Sequence, residues 1–264
     1  MSKMRRGTQF ERVADRRTQI ATFTRDYPAG HRIRPHFHDR DQLLYASRGV
    51  MTVLTGEDTW VVPTYRAVWI PARVAHSITM SGAVAMRALY LKPRLAAALP
   101  RSCCVVNVSP LLKELLLHAC GCPALSHRIP WQRHLIDVIV DQLERIQMVP
   151  LQLPNPSDAR ARRIAALLLA DPGDRRPLAQ ICGAAGASKR TVERLFQDEI
   201  GMTPGKWRQQ LRLMQALRLL ADGAKVTQAA VDAGYSTPSA FIAMFRKALG
   251  RTPKAYFTSP QPHK

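Results

Sequence analysis

Phe196-Gln-Asp-Glu-Ile-Gly-Met-Thr-Pro204 and Phe245-Arg-Lys-Ala-Leu-Gly-Arg-Thr-Pro253 carry the same signature, Phe-x4-Gly-x-Thr-Pro, displaced by 49 residues. That is an internal duplication. Upstream of each copy a further glycine, Gly186 or Gly234, interrupts an apolar-periodic segment just before a residue able to cap a helix, Ser188 or Thr237. Helix, glycine turn, capped helix is the grammar of a helix-turn-helix. Two such units in tandem imply a reader of duplex DNA.

In the first unit, Leu178, Ile181 and Ala185 give a short apolar face, and Val192, Leu195 and Phe196 point inward on the second helix. Ser188, Lys189, Arg190, Glu193, Arg194 and Gln197 are left to face DNA. Arginine pairs with guanine through two hydrogen bonds, glutamate accepts from cytosine, and lysine and glutamine serve phosphate or adenine. In the second unit Thr237 and Pro238 cap the helix and Phe241 and Phe245 face the core, leaving Ser239, Ile242, Ala243 and Arg246 outward. These side chains have little hydrogen-bonding reach, so the first helix is expected to discriminate sequence and the second to anchor phosphates, touch thymine methyls or read shape. Between the units, Trp207, Leu211, Met214, Leu217 and Leu220 mark a helical stripe, with Arg208, Arg212 and Arg218 off it. That helix would set the two readers about one turn of DNA apart, roughly 34 Å.

The residues from Leu178 to Phe257, above all Gly234-Tyr-Ser-Thr-Pro-Ser-Ala-Phe241 and the stretch from Phe245 to Phe257, resemble the DNA-binding domain of the AraC/XylS family of transcriptional regulators. The resemblance implies base contacts by Arg190, Glu193 and Arg194 from the first recognition helix, and by Pro238, Ser239, Ile242 and Ala243 from the second. Family members often carry a polar or basic residue where this chain has Ala243. The resemblance also implies a regulator, not an enzyme, with double-stranded DNA and RNA polymerase as partners. It is closest in arrangement to a subgroup that often controls a neighbouring efflux-transporter gene.

Composition agrees. The chain of 264 residues has a formal charge of +20 and 46% hydrophobic residues, which favours a polyanionic partner and excludes disorder as the main state. Residues 1–150 carry 21 Lys/Arg against 11 Asp/Glu and residues 151–264 carry 18 against 8, so charge alone does not locate the DNA site. No apolar run approaches a membrane span, and the first residues lack the apolar core of a signal peptide, so a cytoplasmic protein with no membrane partner is expected. Five cysteines, Cys103, Cys104, Cys120, Cys122 and Cys182, do not make a disulfide framework. His118, Cys120, Cys122 and His127 contain potential zinc ligands, but their C-x-C spacing is not that of a zinc knuckle.

Residues 1–24 read as a basic arm. From Gln42 the signal is short β-rich runs, at 42–47, 50–55, 59–62 and 67–70, with a turn at Gly56 and a stop at Pro71. Frequent turns and short strands predict a small antiparallel barrel or sandwich over 25–95. Residues 96–153 then hold two helices, around Pro110 to His118 and Trp131 to Met148, followed by a proline-punctuated linker that ends near Pro154. On the second helix Leu135, Val138, Ile139, Gln142, Leu143 and Ile146 form one stripe, which either packs on the barrel or makes a homodimer through the 109–149 helices. The DNA-binding domain takes 154–264. The expected fold is thus α+β and multidomain: a β-barrel, a helical segment and an all-α tandem helix-turn-helix domain.

Within the barrel segment, Gly30-x5-His36-x-His38-x3-Gln42-x6-Gly49 and Pro71-x-Arg73-x2-His76 resemble the two motifs of the cupin barrel, with Gln42 where glutamate is usual, Arg73 where glycine is usual and Met80 where asparagine often stands. Two histidines two apart on a strand point to one face, and a third from a neighbouring strand completes a facial metal site. Zinc, nickel, iron and manganese all suit such imidazoles, with Gln42 a weak neutral fourth ligand. The alternative is that His36, His38, Gln42 and His76 line a pocket for a small-molecule effector. A metal-dependent cupin enzyme, a dioxygenase or isomerase with a nucleic-acid tether, is the competing function; no further general acid or base stands out to support it.

Overall fold

The structure is a computed structural model describing residues 5–6, 17–56, 58–146, 148–149 and 151–257. It divides into two compact units, residues 1–152 and 153–264.

The first unit is built on strands β1 (Arg5–Arg6), β2 (Ile20–Tyr27), β3 (Arg32–Phe37), β4 (Asp41–Thr55), β5 (Asp58–Pro63), β6 (Arg66–Ile70), β7 (His76–Leu91) and β8 (Cys104–Asn107). Helix α1 (Pro110–Ala119), strand β9 (Ala124–Leu125), helix α2 (Pro130–Glu144) and the short strands β10 (Met148–Val149) and β11 (Gln152–Leu153) follow. Two long strands organise it. β7 pairs with β4 along almost its whole length, while β2 and β3 take successive halves of its other edge. β4 in turn carries β6 on its first half and β5 on its second.

Two expected strands, 42–47 and 50–55, are therefore one. The β4–β7 register shifts twice, between Ala46 and Arg48 and between Arg48 and Val50. Gly49 lies inside that bulge at φ +79, and a Cβ there would sit 2.6 Å from the Ala83 carbonyl oxygen and 2.8 Å from Val84 Cγ2. Only glycine lets the two backbones come this close while the strand bends.

The hydrogen-bonded path runs from β1 through β3, β7, β4, β6 and β8 to β10 and does not return on itself. Among the described residues the sheet is folded but open, in place of the expected closed barrel. It is antiparallel apart from β1 with β3. The expected arm over 1–24 also ends earlier: Ile20 and Ala21 are fully buried in β2, and the residues before Arg17, other than Arg5 and Arg6, lie outside the described residues. Nor does residue 95 end the sheet, because β8 pairs with β6 and its Val106 shares one core with Leu43, Trp69, Leu116, Ile136 and Ile139. Burying such residues stabilises by about 1.5–3 kcal/mol for each large side chain, which is what holds α1 and α2 on the sheet.

The expected stripe on α2 splits. Gln132, Ile136, Ile139 and Leu143 face inward, whereas Val138 is exposed and Leu135 and Gln142 are half-buried. With exposed Trp131 they form a second stripe at 131, 135, 138 and 142.

The second unit contains α3 (Ala159–Ala170), α4 (Leu178–Ala184), α5 (Lys189–Ile200), α6 (Pro204–Ala221), α7 (Val226–Asp232), α8 (Pro238–Leu249) and α9 (Pro253–Phe257). The duplication is visible in lengths: α4 and α7 have 7 residues each, α5 and α8 have 12. Ser188 and Thr237 accept from the backbone N–H three residues on, and Gly201 and Gly250 end their helices at φ +68 and +78. Thr203 and Thr252 cap the helices that follow. Phe196 and Phe245 are fully buried.

Candidate functional site

The pairing of β3 with β7 puts His36 directly opposite His76, and His38 follows two residues after His36. Ring centroids are 4.3 Å apart for His36 and His76, 4.8 Å for His36 and His38, and 5.3 Å for His38 and His76. One nitrogen from each lies within 4.8 Å of the others. His38 and His76 are buried and His36 is half-buried, so the cluster opens at His36.

Two backbone carbonyls set the ring orientation. His36 Nδ1 donates to the Arg34 carbonyl at 2.8 Å and His76 Nδ1 to the Val74 carbonyl at 3.0 Å, which leaves each Nε2 with its lone pair outward. The buried His76 Nε2 has no protein partner among the described residues. Burial, reinforced by His76 and His36, lowers the His38 pKa to about 3. Burial also lowers that of His76 to about 4, against a smaller opposing effect of the Val74 carbonyl. Neutral rings at pH 7 are the form that ligates a metal.

Gln42 lies across the β4–β7 ladder from Tyr90 and is buried. Its Nε2 donates to the Tyr90 hydroxyl at 3.2 Å, and its Oε1 is buried with no partner among the described residues. The Tyr90 ring in turn stands edge-on to His38 with centroids 4.8 Å apart, and imidazole nitrogens with an amide oxygen are donors that suit a divalent cation. Arg73 reaches the same place through its backbone, its N–H donating to the His38 carbonyl from a left-handed conformation, φ +66. This explains why glycine is the residue the cupin pattern leads one to expect here. The three histidines are the one cluster of three or more metal-binding side chains among the described residues; His118, Cys120, Cys122 and His127 do not converge, and His127 pairs with Asp137.

In the second unit, Ser188, Lys189, Arg190, Glu193, Arg194 and Gln197 are exposed on or at the start of α5. Ser188 spends its hydroxyl on the cap, Lys189 pairs with Glu193 at 3.6 Å, and Arg194 pairs with Asp198 at 3.3 Å. On α8, Ser239, Ala243 and Arg246 are exposed with Thr237 at its cap, while Ile242 is half-buried.

Arg208 and Arg212, off the apolar stripe of α6, hold a loop. Both donate to the Asp174 carbonyl, whose carboxylate pairs with Arg176 at 2.7 Å. Arg212 also stands over the Tyr235 ring, and a Cβ on Gly234 would meet its Nη2 at 2.7 Å. This loop and the turn of the second unit thus share one set of arginines. Sequence periodicity carries no sign of it, since a long arginine off an apolar stripe reads as solvated.

A duplicated helix-turn-helix module in one unit and a sheet unit with a cluster of histidines in the other define a DNA-binding regulator with a ligand-binding domain. Residues 20–145 match the AraC-like ligand binding domain and residues 181–259 the helix-turn-helix domain family. The HTH-type transcriptional regulator NimR of Escherichia coli (strain K12) is 35% identical over 221 residues, 84% of this chain and 81% of that protein. The HTH-type transcriptional regulator RipA of Corynebacterium diphtheriae is 35% identical over 114 residues, 43% of this chain and 33% of its own length. This chain belongs to the AraC family of DNA-binding transcriptional regulators. No helix among the described residues is long and apolar enough to cross a membrane.

Proposed function

We propose that the sheet unit senses a divalent transition metal, or an effector bound with it, at His36, His38, His76 and Gln42, and that α5 and α8 read the operator. The convergence of three imidazoles, two of them oriented by carbonyls, carries this reading. Bound metal would supply a strong local positive charge that reorders the cavity walls. A signal arises only if the two DNA-binding states hold the metal with different affinity. Arg190, Glu193 and Arg194 are the base-reading candidates, with Arg246 on a phosphate and Ile242 against thymine methyls. The outer stripe of α2, Trp131, Leu135, Val138 and Gln142, is the face for a second copy of the chain, and the assembled protein on DNA governs access of RNA polymerase.

The test is binding to the duplex upstream of the protein's own gene, with metal-free protein and with added zinc, nickel, iron or manganese. The reading predicts a metal-dependent change in affinity that disappears in His36→Ala/His38→Ala. Equal affinity under all conditions contradicts a metal input and leaves an organic effector for the pocket. Metal-dependent turnover lost in the variant while DNA binding stays intact would mark an enzyme.

A further inference from the structure

The donor set has one feature that limits what completes it: none of its side chains is an acid. The cluster contains three imidazoles and, among the described residues, no carboxylate or thiolate. The nearest carboxylates in sequence are committed elsewhere, Asp39 to Arg73 at 3.5 Å and Asp41 to the Ala72 N–H at 2.8 Å. The Tyr90 hydroxyl accepts from Gln42 at 3.2 Å. A dication here keeps its whole charge among largely buried side chains, where an uncompensated charge is costly. A glutamate at position 42 would offset it; Gln42 does not.

Resting on the metal reading above, we propose that the effector is a small anion, such as an organic carboxylate, that completes the ion's coordination, and that Gln42 is the residue selecting for its negative charge. The approach is from His36, the half-exposed ring. On the same strand the exposed Arg32 and Arg34 raise the local concentration of anions. Tyr90 is a positioning residue: by taking the amide N–H it turns Oε1 away from itself.

The test uses the full-length protein loaded with cobalt(II), whose visible absorption reports its ligands, titrated with azide, with acetate and with acetamide, the neutral isostere of acetate. Saturable spectral changes with azide and acetate, and none with acetamide, are expected. Gln42→Glu should retain cobalt and weaken acetate by at least about tenfold, or roughly 1.4 kcal/mol. Cobalt retention with no anion response, an equal response to acetamide, or unchanged acetate affinity in Gln42→Glu overturns the proposal while the metal reading stands. If Gln42→Glu does not fold, the acetate–acetamide comparison on the wild type decides alone. Failure of the wild type to hold cobalt overturns both.

Discussion

His36 and His76 face each other across the β3–β7 ladder with ring centroids 4.3 Å apart, each with its Nδ1 tied to the carbonyl two residues earlier. The same hydrogen bond made twice orients both Nε2 atoms before any ligand arrives. Such preorganisation favours a metal over a mere polar filling of the interior.

Arg73 holds a left-handed backbone, φ +66, which costs a non-glycine residue about 1–2 kcal/mol. Its ion pair with Asp39 is exposed and worth about 0–1 kcal/mol. Arg73→Gly is therefore expected to leave stability unchanged or raise it by up to about 1 kcal/mol, once the greater entropy of unfolded glycine is included. Urea unfolding checks this; a clear loss would mean that the guanidinium has a role beyond Asp39.

Asp174 is held below the ordinary carboxylate range, chiefly by Arg176, with Arg208 assisting. A depressed folded pKa contributes stability that is fully present above the unfolded value of about 3.9 and is lost as pH falls through the folded one. Asp174→Asn should cost about 1–3 kcal/mol at pH 7 and flatten the acid limb of the stability profile below about pH 4. Unfolding followed between pH 2 and pH 7 separates the two curves, and parallel curves would contradict the assignment.

Arg190 is exposed on α5 and Arg246 on α8, and different losses are expected from them. Arg190→Ala should cost about 1–3 kcal/mol and relax specificity at one base pair. Arg246→Ala should weaken binding across sequences and reduce the salt slope by about one. Anisotropy titrations on operator and scrambled duplexes over a range of salt distinguish these; identical profiles for the two variants would remove the division of labour between the helices.

Val138 lies at the centre of the outer α2 stripe, 39% exposed beside Trp131 at 49%. A charge placed there should break a homodimer without unfolding the chain, because neither side chain belongs to the inner face. Light scattering on Val138→Glu should give half the mass of the wild type. Equal masses would take the stripe out of assembly.

The tandem module was legible because its signals are local. A turn glycine, a capping hydroxyl and a buried phenylalanine act within one short segment, so Gly186, Ser188 and Phe196 announce their roles wherever the chain goes. The sheet was less legible, because whether 42–47 and 50–55 are one strand or two is decided by their bulged pairing with residues 81–86 of β7, more than thirty residues on, and by the close approach that Gly49 permits. The histidines stood out by spacing, yet the hydrogen bond from Gln42 to Tyr90 depends on a register of the β4–β7 ladder that composition does not encode. Arg208 and Arg212 were hidden for the same reason: their partner, Asp174, lies at the far end of a long contact.

The most direct measurement is metal per chain, by mass spectrometry, on protein purified without chelators or an affinity tag, beside His36→Ala/His38→Ala. Near-stoichiometric metal in the wild type and its loss in the folded variant is the predicted result. Wild-type protein that stays metal-free after exposure to zinc, nickel, iron and manganese would contradict a metal-centred sensor.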